Sequence, residues 1–116
     1  MSRQRVVLQK PITLPATTAQ LNEDAVQVGD NTKAVVFANC YAVGGTGTNT
    51  VNLQTCANLE ESTGASNWIT IGTITFTGTG SKKVVITDLG DAIRWSFTSP
   101  GTATTFGLVV FLTDFQ

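Results

Sequence analysis

The chain has 116 residues, a net charge of −1 and 41% hydrophobic residues, so it is long enough for one core and too apolar for a disordered tail. Charged residues make up only 13% and histidine is absent, which removes the commonest general base and metal ligand from any candidate active site. Lys and Arg form two small clusters, Arg3 with Arg5 and Lys82 with Lys83, which is too few for the several phosphate contacts that nucleic-acid binding needs.

The amino-terminal segment is charged and interrupted by Pro11, so we expect no secretory signal peptide. No apolar run approaches the ~20 residues that a membrane span requires, so we expect no membrane partner and assembly in the cytoplasm. Threonine is abundant, with 20 Thr against 6 Ser. Because Thr is β-branched, it suits exposed strand faces and contacts with a neighbouring subunit.

Eight segments rich in Val, Ile, Phe and Thr alternate with turns of Gly, Pro, Asn and Asp, which is the pattern of short β-strands. In chain order they are residues 5–14, a short segment near Val26 and Val28, and residues 33–43, 50–58, 68–77, 82–89, 92–99 and 103–113. No helical period extends beyond one or two turns. The sequence therefore predicts an all-β fold, a single antiparallel β-sandwich, jelly-roll-like, of about seven or eight strands.

The first segment predicts an edge strand or amino-terminal arm. Four of its apolar residues share one face by period two: Val6, Leu8, Ile12 and Leu14. Pro11 removes a backbone donor that a central strand would use. We assign residues 1–14 to this arm and residues 15–116 to the sandwich, within one domain overall.

Two segments are apolar on both faces. In residues 33–43, Val35 and Phe37 lie on one face, and Val36 and Ala38 lie on the other. Residues 103–113 show the same pattern. Because an antiparallel strand with one wet face should alternate more clearly, we expect that these strands are covered on both sides or that one face contacts another subunit.

The apolar residues of segment 68–77 change phase between Ile71 and Ile74. One extra residue at Gly72–Thr73 would restore the register, so we predict a β-bulge there.

Cys40 and Cys56 lie in separate predicted strands. Buried thiols are the common state of cysteine in a cytoplasmic chain, and a disulfide across paired strands is the alternative. A zinc site needs four ligands, which two cysteines without histidine do not supply.

The candidate acidic sites are Glu60–Glu61 and the pair Asp88 and Asp91. Adjacent carboxylates on an extended chain point to opposite sides, so Glu60–Glu61 indicates a solvated loop rather than an acid–base pair. Asp88 and Asp91 are typical of a turn that makes its own hydrogen bonds, with calcium binding as the weaker interpretation. Ser and Cys nucleophiles lack a histidine base, so we expect no enzyme, no cofactor and no metal site.

Trp95 alternates with apolar neighbours and is expected in the core, which places Arg94 on the outer face of the same strand. For Arg94 we expect an internal ion pair with a nearby Asp, or else a pair with an acidic partner protein. Trp68 follows a polar loop and is expected at a sheet end or an interface. An aromatic platform for sugar rings, built from the two tryptophans, is the alternative.

Several short motifs, taken in order, resemble a known family. They are Asn67-Trp68-x-x-Ile71-Gly72, Gly80-Ser81, Asp88-Leu89-Gly90, Ile93-Arg94-Trp95 and Phe106-x-Leu108-x-Val110. The order is similar to that of small β-sandwich structural proteins encoded in the morphogenesis regions of tailed bacteriophages and prophages. These include head decoration or stabilisation proteins and related minor virion proteins, and the resemblance covers residues 33–113.

The resemblance implies a non-enzymatic virion structural protein, a capsid decoration or cement protein that binds the major capsid protein or other virion proteins. It also implies a homo-oligomer, with a trimer as one form. The alternatives are a carbohydrate- or receptor-binding sandwich of a tail fibre, and a neck or tail connector. We expect the protein contacts to come from the arm, two loops and one strand, at Arg3, Arg5, Val7, Thr46, Glu60, Trp68 and Arg94.

Overall fold

The computed structural model describes residues 3–29, 31–43, 49–61, 67–98 and 103–113. These residues form nine strands and two single-turn 3₁₀ segments, at Asn22–Asp24 and Leu59–Glu61. The strands are β1 (Arg3–Leu14), β2 (Thr18–Ala19), β3 (Val26–Gln27), β4 (Lys33–Val43), β5 (Asn49–Cys56), β6 (Ile69–Phe76), β7 (Gly80–Ile86), β8 (Ala92–Thr98) and β9 (Thr104–Thr113). Within the described ranges, no helix has the length and apolar character needed to cross a membrane.

The strands form two antiparallel sheets. Sheet A has the order β1-β9-β4-β7. In sheet B, β8 and β5 are central, β6 forms one edge, and the short strands β2 and β3 pair in turn with successive parts of β8. Strands β2 and β3 together form one interrupted edge strand of sheet B. If they are counted as one, each sheet has four strands, and the arrangement is that of a jelly roll. The predicted all-β sandwich is confirmed.

The core lies between the two sheets and follows the period-two pattern of the strands. Every second residue of β4 from Ala34 to Cys40 is buried, because the side chains of a strand alternate between its faces. Aromatic rings fill the centre: Trp95 packs edge-on against Phe106 with ring centroids 5.6 Å apart, and Phe97 lies 5.3 Å from the same ring. This packing confirms the core position predicted for Trp95.

Strand β1 occupies an edge of sheet A, as its Pro11 predicted. Its register with β9 shifts on both sides of Gln9, so the proline falls in an irregular stretch where no ladder donor is required. Leu8 and Leu14 of this strand are buried in the core. Residues 3–14 are thus part of sheet A, and the boundary proposed at residue 14 stays a prediction.

The bulge predicted in segment 68–77 exists one position earlier than expected. Leu53 pairs with Gly72 and Gln54 pairs with Thr70, so Ile71 is the extra residue. Gly72 is paired with the core residue Leu53 and faces the core, where a Cβ atom would lie 2.6 Å from Ile86 Cδ1. The inserted residue is its neighbour Ile71.

The interrupted edge of sheet B was not predicted. Strand β2 has two exposed residues, so it carries no alternating pattern. The chain then leaves the edge, and Gln20, only 5% exposed, turns its amide into the sandwich. Its backbone N–H donates to the carbonyl oxygen of Trp95 at 3.0 Å.

Both cysteines are free and buried, Cys40 in sheet A and Cys56 in sheet B, so the disulfide alternative is not realised. Burial raises the pKa of the Cys40 thiol, which keeps it protonated and unreactive in the folded chain.

Candidate functional site

The outer face of sheet A carries apolar side chains on all four strands. In one row across the sheet, Val7 pairs with Val109, which pairs with Phe37. In the next row, Phe111 pairs with Val35, which pairs with Val85. Directly paired residues share a face of the sheet. We call these six residues the docking face: Val7, Val35, Phe37, Val85, Val109 and Phe111.

The docking face reaches solvent mainly at its two edges. Val7 of β1 is 43% exposed and Val85 of β7 is 61% exposed, while the residues between them are half-buried against each other. Phe37 and Phe111 make an edge-to-face contact with ring centroids 5.6 Å apart. A contiguous apolar surface of this kind is typical of a protein contact rather than of a face that stays in water.

Basic residues flank the docking face. Arg5 continues the row of Phe111, and Lys83 continues the row of Phe37 at the opposite edge. No Asp or Glu occurs in any strand of sheet A. The site is therefore an apolar surface with a positive border.

The outer face of sheet B has a different chemistry, and we call it the polar face. It presents uncharged hydroxyl and amide side chains on β5, β6 and β8: Thr50, Asn52, Gln54, Thr70, Thr73, Thr75, Ser96 and Thr98. Some of them bind one another, as where the Thr73 hydroxyl donates to Asn52 Oδ1 at 3.1 Å. The two outer faces of the sandwich thus differ in charge and in apolar content.

Arg94 lies on the outer side of β8, as predicted, but it is only 6% exposed. Its Nε donates to Gln54 Oε1 at 2.9 Å, one terminal N–H donates to the carbonyl oxygen of Gln20 at 3.2 Å, and its guanidinium stacks 4.5 Å from the ring centroid of Trp68. Burial lowers the pKa of the Arg94 guanidinium, yet an arginine stays charged in proteins. These contacts make Arg94 an internal bridge.

Trp68 is 6% exposed and packs with Cys56 and Ala92 in a small second apolar cluster on the outer side of sheet B. A buried ring offers no platform for a sugar. The structure thus brings Trp68 and Arg94 together but places both under cover, away from the docking face.

The acidic candidates lie at one end of the sandwich. Asp91 Oδ2 accepts a hydrogen bond from the Leu59 N–H at 2.8 Å, so this carboxylate joins two connections instead of closing its own turn. Glu60 and Asp88 are exposed. Among the described residues, no group of three or more His, Cys, Asp or Glu side chains is placed to bind a metal ion.

Of the contact residues predicted from the sequence, Arg5 and Val7 belong to or flank the docking face. The backbone of Arg3 pairs with Thr113, whereas its side chain, like Thr46, lies outside the described residues. The sequence prediction did not include the other residues of the docking face, Val35, Phe37, Val85, Val109 and Phe111, or the flanking Lys83. A signal was present, because the segments 33–43 and 103–113 are apolar on both faces.

No protein-family model and no curated protein sequence matches the chain. Solved structures do match it. The exported protein XepA of the phage PBSX has a TM-score of 0.64 at 14% identity, over 97% of this chain, which spans only 38% of the length of XepA. The vertex protein P5 of the phage PRD1 has a TM-score of 0.52 at 9% identity, covering 96% of this chain and 94% of P5.

A third match lies in the CBM22-1–GH10 modules of endo-1,4-β-D-xylanase 10B from Clostridium thermocellum, a structure complexed with xylohexaose. Its TM-score is 0.51 at 15% identity, covering 96% of this chain and 27% of that one. At such identities the likenesses show the fold alone.

Proposed function

We propose that this chain is a non-enzymatic structural protein of a phage virion, of the capsid-decoration type, and that its docking face binds a neighbouring protein of the particle. The observation that carries the proposal is the outer face of sheet A, where apolar residues of four strands adjoin Arg5 and Lys83. A face of this kind binds protein surfaces and offers no catalytic pair.

The chemistry of the docking face defines its partner. Removing apolar surface from water stabilises a complex by about 25 cal/mol per Å² before the cost of association is subtracted. Burial of Val7 and Val85 would contribute most to this stabilisation, because these two residues of the docking face are the most exposed to water. Arg5 and Lys83 favour carboxylates at the border of the partner surface. The partner is thus an apolar protein surface with an acidic border, for which the major capsid protein is the first candidate.

Two further observations support a virion role. Phage proteins share the fold. The polar face, opposite the docking face, carries hydroxyl and amide groups that hydrate well without charge. A protein with one apolar and one hydrated face would bind a particle in one orientation, with the polar face outward.

Carbohydrate binding is the second candidate, because the polar face is lined with the uncharged amide and hydroxyl groups that recognise sugars. The buried position of Trp68 removes the aromatic platform from this alternative. A glycan array separates the two functions, since binding that is lost in Thr75→Asp but kept in Val85→Asp would favour a sugar.

The proposal is tested by co-sedimentation of the protein with capsids assembled from the head protein of the same genome. Val85→Asp places a charge on the docking face at a 61% exposed position, so we expect a normal fold and at least a tenfold loss of affinity. Thr75→Asp is the matched control, because it is also an exposed β-branched residue of an edge strand, but on the polar face. Equal binding by the two variants would overturn the proposal.

A further inference from the structure

One end of the sandwich, which we call the acidic end, is formed by the connections before β4, after β5 and before β8. Hydrogen bonds hold these connections together. The Leu89 N–H donates to the carbonyl oxygen of Thr32 at 3.1 Å, and the Asp91 N–H donates to that of Cys56 at 2.7 Å. With the bond from Leu59 to the Asp91 carboxylate, the end is a fixed surface rather than a set of independent loops.

The acidic end combines carboxylates with an exposed apolar side chain. Glu60 and Asp88 are exposed, and Ile69, at the start of β6, is 63% exposed. Ile69 and Asp88 line the same open cleft, of about 370 Å³, together with Thr87 and Gly90. An exposed isoleucine beside a carboxylate complements an apolar surface with a basic border.

The chain carries that counterpart on its own docking face. Arg5 and Lys83 lie at opposite borders of the docking face, and no strand of sheet A contains Asp or Glu. We infer that the docking face of one copy binds the acidic end of a second copy. This inference rests on the proposed function, and it replaces the major capsid protein with a second copy as the protein of the particle that the docking face binds.

The charge distribution favours this contact over a symmetric one. If two docking faces packed against each other, the Arg5 and Lys83 side chains of one copy would lie near those of the other. No strand of sheet A supplies a carboxylate to balance these charges, so the contact would cost free energy in a poorly hydrated interface. The contact of a face with an end is heterologous, so each copy of a pair keeps either an unused face or an unused end. Repetition of the contact therefore produces a closed ring or an open chain of copies.

The geometry also limits the strength of the contact. The two smaller dimensions of the molecule are 31 and 19 Å, which bound the area of the acidic end. Such an end is smaller than the ~800 Å² that each partner buries in a standard interface. Exposed ion pairs add little each and are screened by salt. We expect association in the micromolar range or weaker, with a dissociation constant that rises with salt.

The test uses two complementary variants and light scattering over a range of concentrations. The face-blocked variant carries Lys83→Glu and Val85→Asp. The end-blocked variant carries Ile69→Gln and Asp88→Asn, which remove the apolar side chain and the carboxylate without adding a charge complementary to the blocked face. Each should be monomeric at concentrations where the unchanged protein associates. Mixed one to one, they should form heterodimers and nothing larger, because one intact face and one intact end remain.

Thr75→Glu serves as the control with a charge on the polar face, and tryptophan emission checks the fold of every variant. A monomeric unchanged protein, mixed variants that stay apart, or a mass that rises with salt would each overturn the inference. Capsid co-sedimentation separates the two proposals. If the protein is monomeric and Val85→Asp loses capsid binding, the proposed function stands with the capsid protein as the neighbour. If copies associate but no variant or unchanged protein binds capsids, the proposed function fails.

Discussion

The clearest prediction concerns Gln20, which joins the two sheets where the edge of sheet B is interrupted. Its Nε2 donates to the carbonyl oxygen of Leu8 in sheet A at 2.9 Å and to that of Asp24 at 3.1 Å. Its Oε1 accepts from the backbone N–H of Trp95 in sheet B at 3.2 Å. The bond to Trp95 replaces one ladder bond on β8 that β2 and β3 do not provide, and the bond to Leu8 links this edge to sheet A.

The expected loss of stability follows from the polar groups that Gln20→Met would leave without a hydrogen-bond partner. Methionine keeps the length and flexibility of the side chain but cannot donate or accept. Two of the affected groups belong to the buried residues Leu8 and Trp95, and a buried group without a partner costs about 1–3 kcal/mol. Asp24 is exposed, so water can replace its bond. We expect the free energy of unfolding to fall by about 2–4 kcal/mol, a large part of the ~5–15 kcal/mol of a typical domain.

The assay is urea unfolding followed by tryptophan fluorescence, which reports on the buried Trp95. With an m-value of about 1.3 kcal/mol/M, the midpoint should move down by about 1.5–3 M. Gln27→Met is the matched control, since Gln27 is an exposed residue of β3 on the same edge. Its free energy of unfolding should stay within about 0.5 kcal/mol of that of the unchanged protein. If Gln20→Met behaved like this control, the role given to the Gln20 amide would be wrong.

Three other changes test separate parts of the fold. A Cβ atom at Gly90 would overlap the carbonyl oxygen of Cys56, so Gly90→Ala should lower the free energy of unfolding by about 2 kcal/mol or more in urea titrations. Because the pKa of Cys40 is raised in the folded chain, the unfolded chain loses this proton at a lower pH. The free energy of unfolding should therefore fall as the pH rises above about 8.5, and it should fall less steeply with pH in Cys40→Ala. The Thr104 hydroxyl donates to Asn49 Oδ1 in the core at 2.8 Å, so Thr104→Val should lower the free energy of unfolding by about 1–3 kcal/mol. Thermal melts of the double variant with Asn49→Leu should show that most of this stability is recovered, because both polar partners are then removed.

The strands were predictable because their signal is local. Alternation of apolar and polar residues is written into each segment, and β4 begins and ends at the predicted Lys33 and Val43. The turns between strands were equally visible as Gly, Pro and Asp. Strand β2 lacked such a signal, since two exposed residues show no period and its existence depends on pairing with β8.

Side-chain burial on the outer faces was harder to predict, because it depends on distant parts of the chain. The alternation of β8 correctly placed Arg94 on the outer side. Its burial comes from Trp68, which the chain brings over β8 from the connection before β6, and from Gln20 on the interrupted edge. No local pattern contains that information.

The docking face shows the same division between local and long-range information. The sequence indicated that β4 and β9 each have two apolar faces. It did not indicate that these strands are adjacent, or that β1 and β7 flank them with Val7 and Val85. Sheet order converts two apolar strands into one continuous surface, and that order follows from the pairing of segments far apart in the chain.

The arrangement of charge is the strongest argument that the two outer faces have different roles. If charged residues served only to keep the protein in solution, they would be expected on both sheets. Six of the seven Lys and Arg residues lie on strands of sheet A, although Lys82 lies on the inner side and binds the Thr75 carbonyl oxygen of sheet B. The strands of sheet B carry one cation, Arg94, which is buried. No strand of either sheet contains Asp or Glu, and Glu60, Asp88 and Asp91 lie in connections. The proposed contact would give the molecule a direction, because a basic apolar face and an acidic end attract surfaces of opposite character.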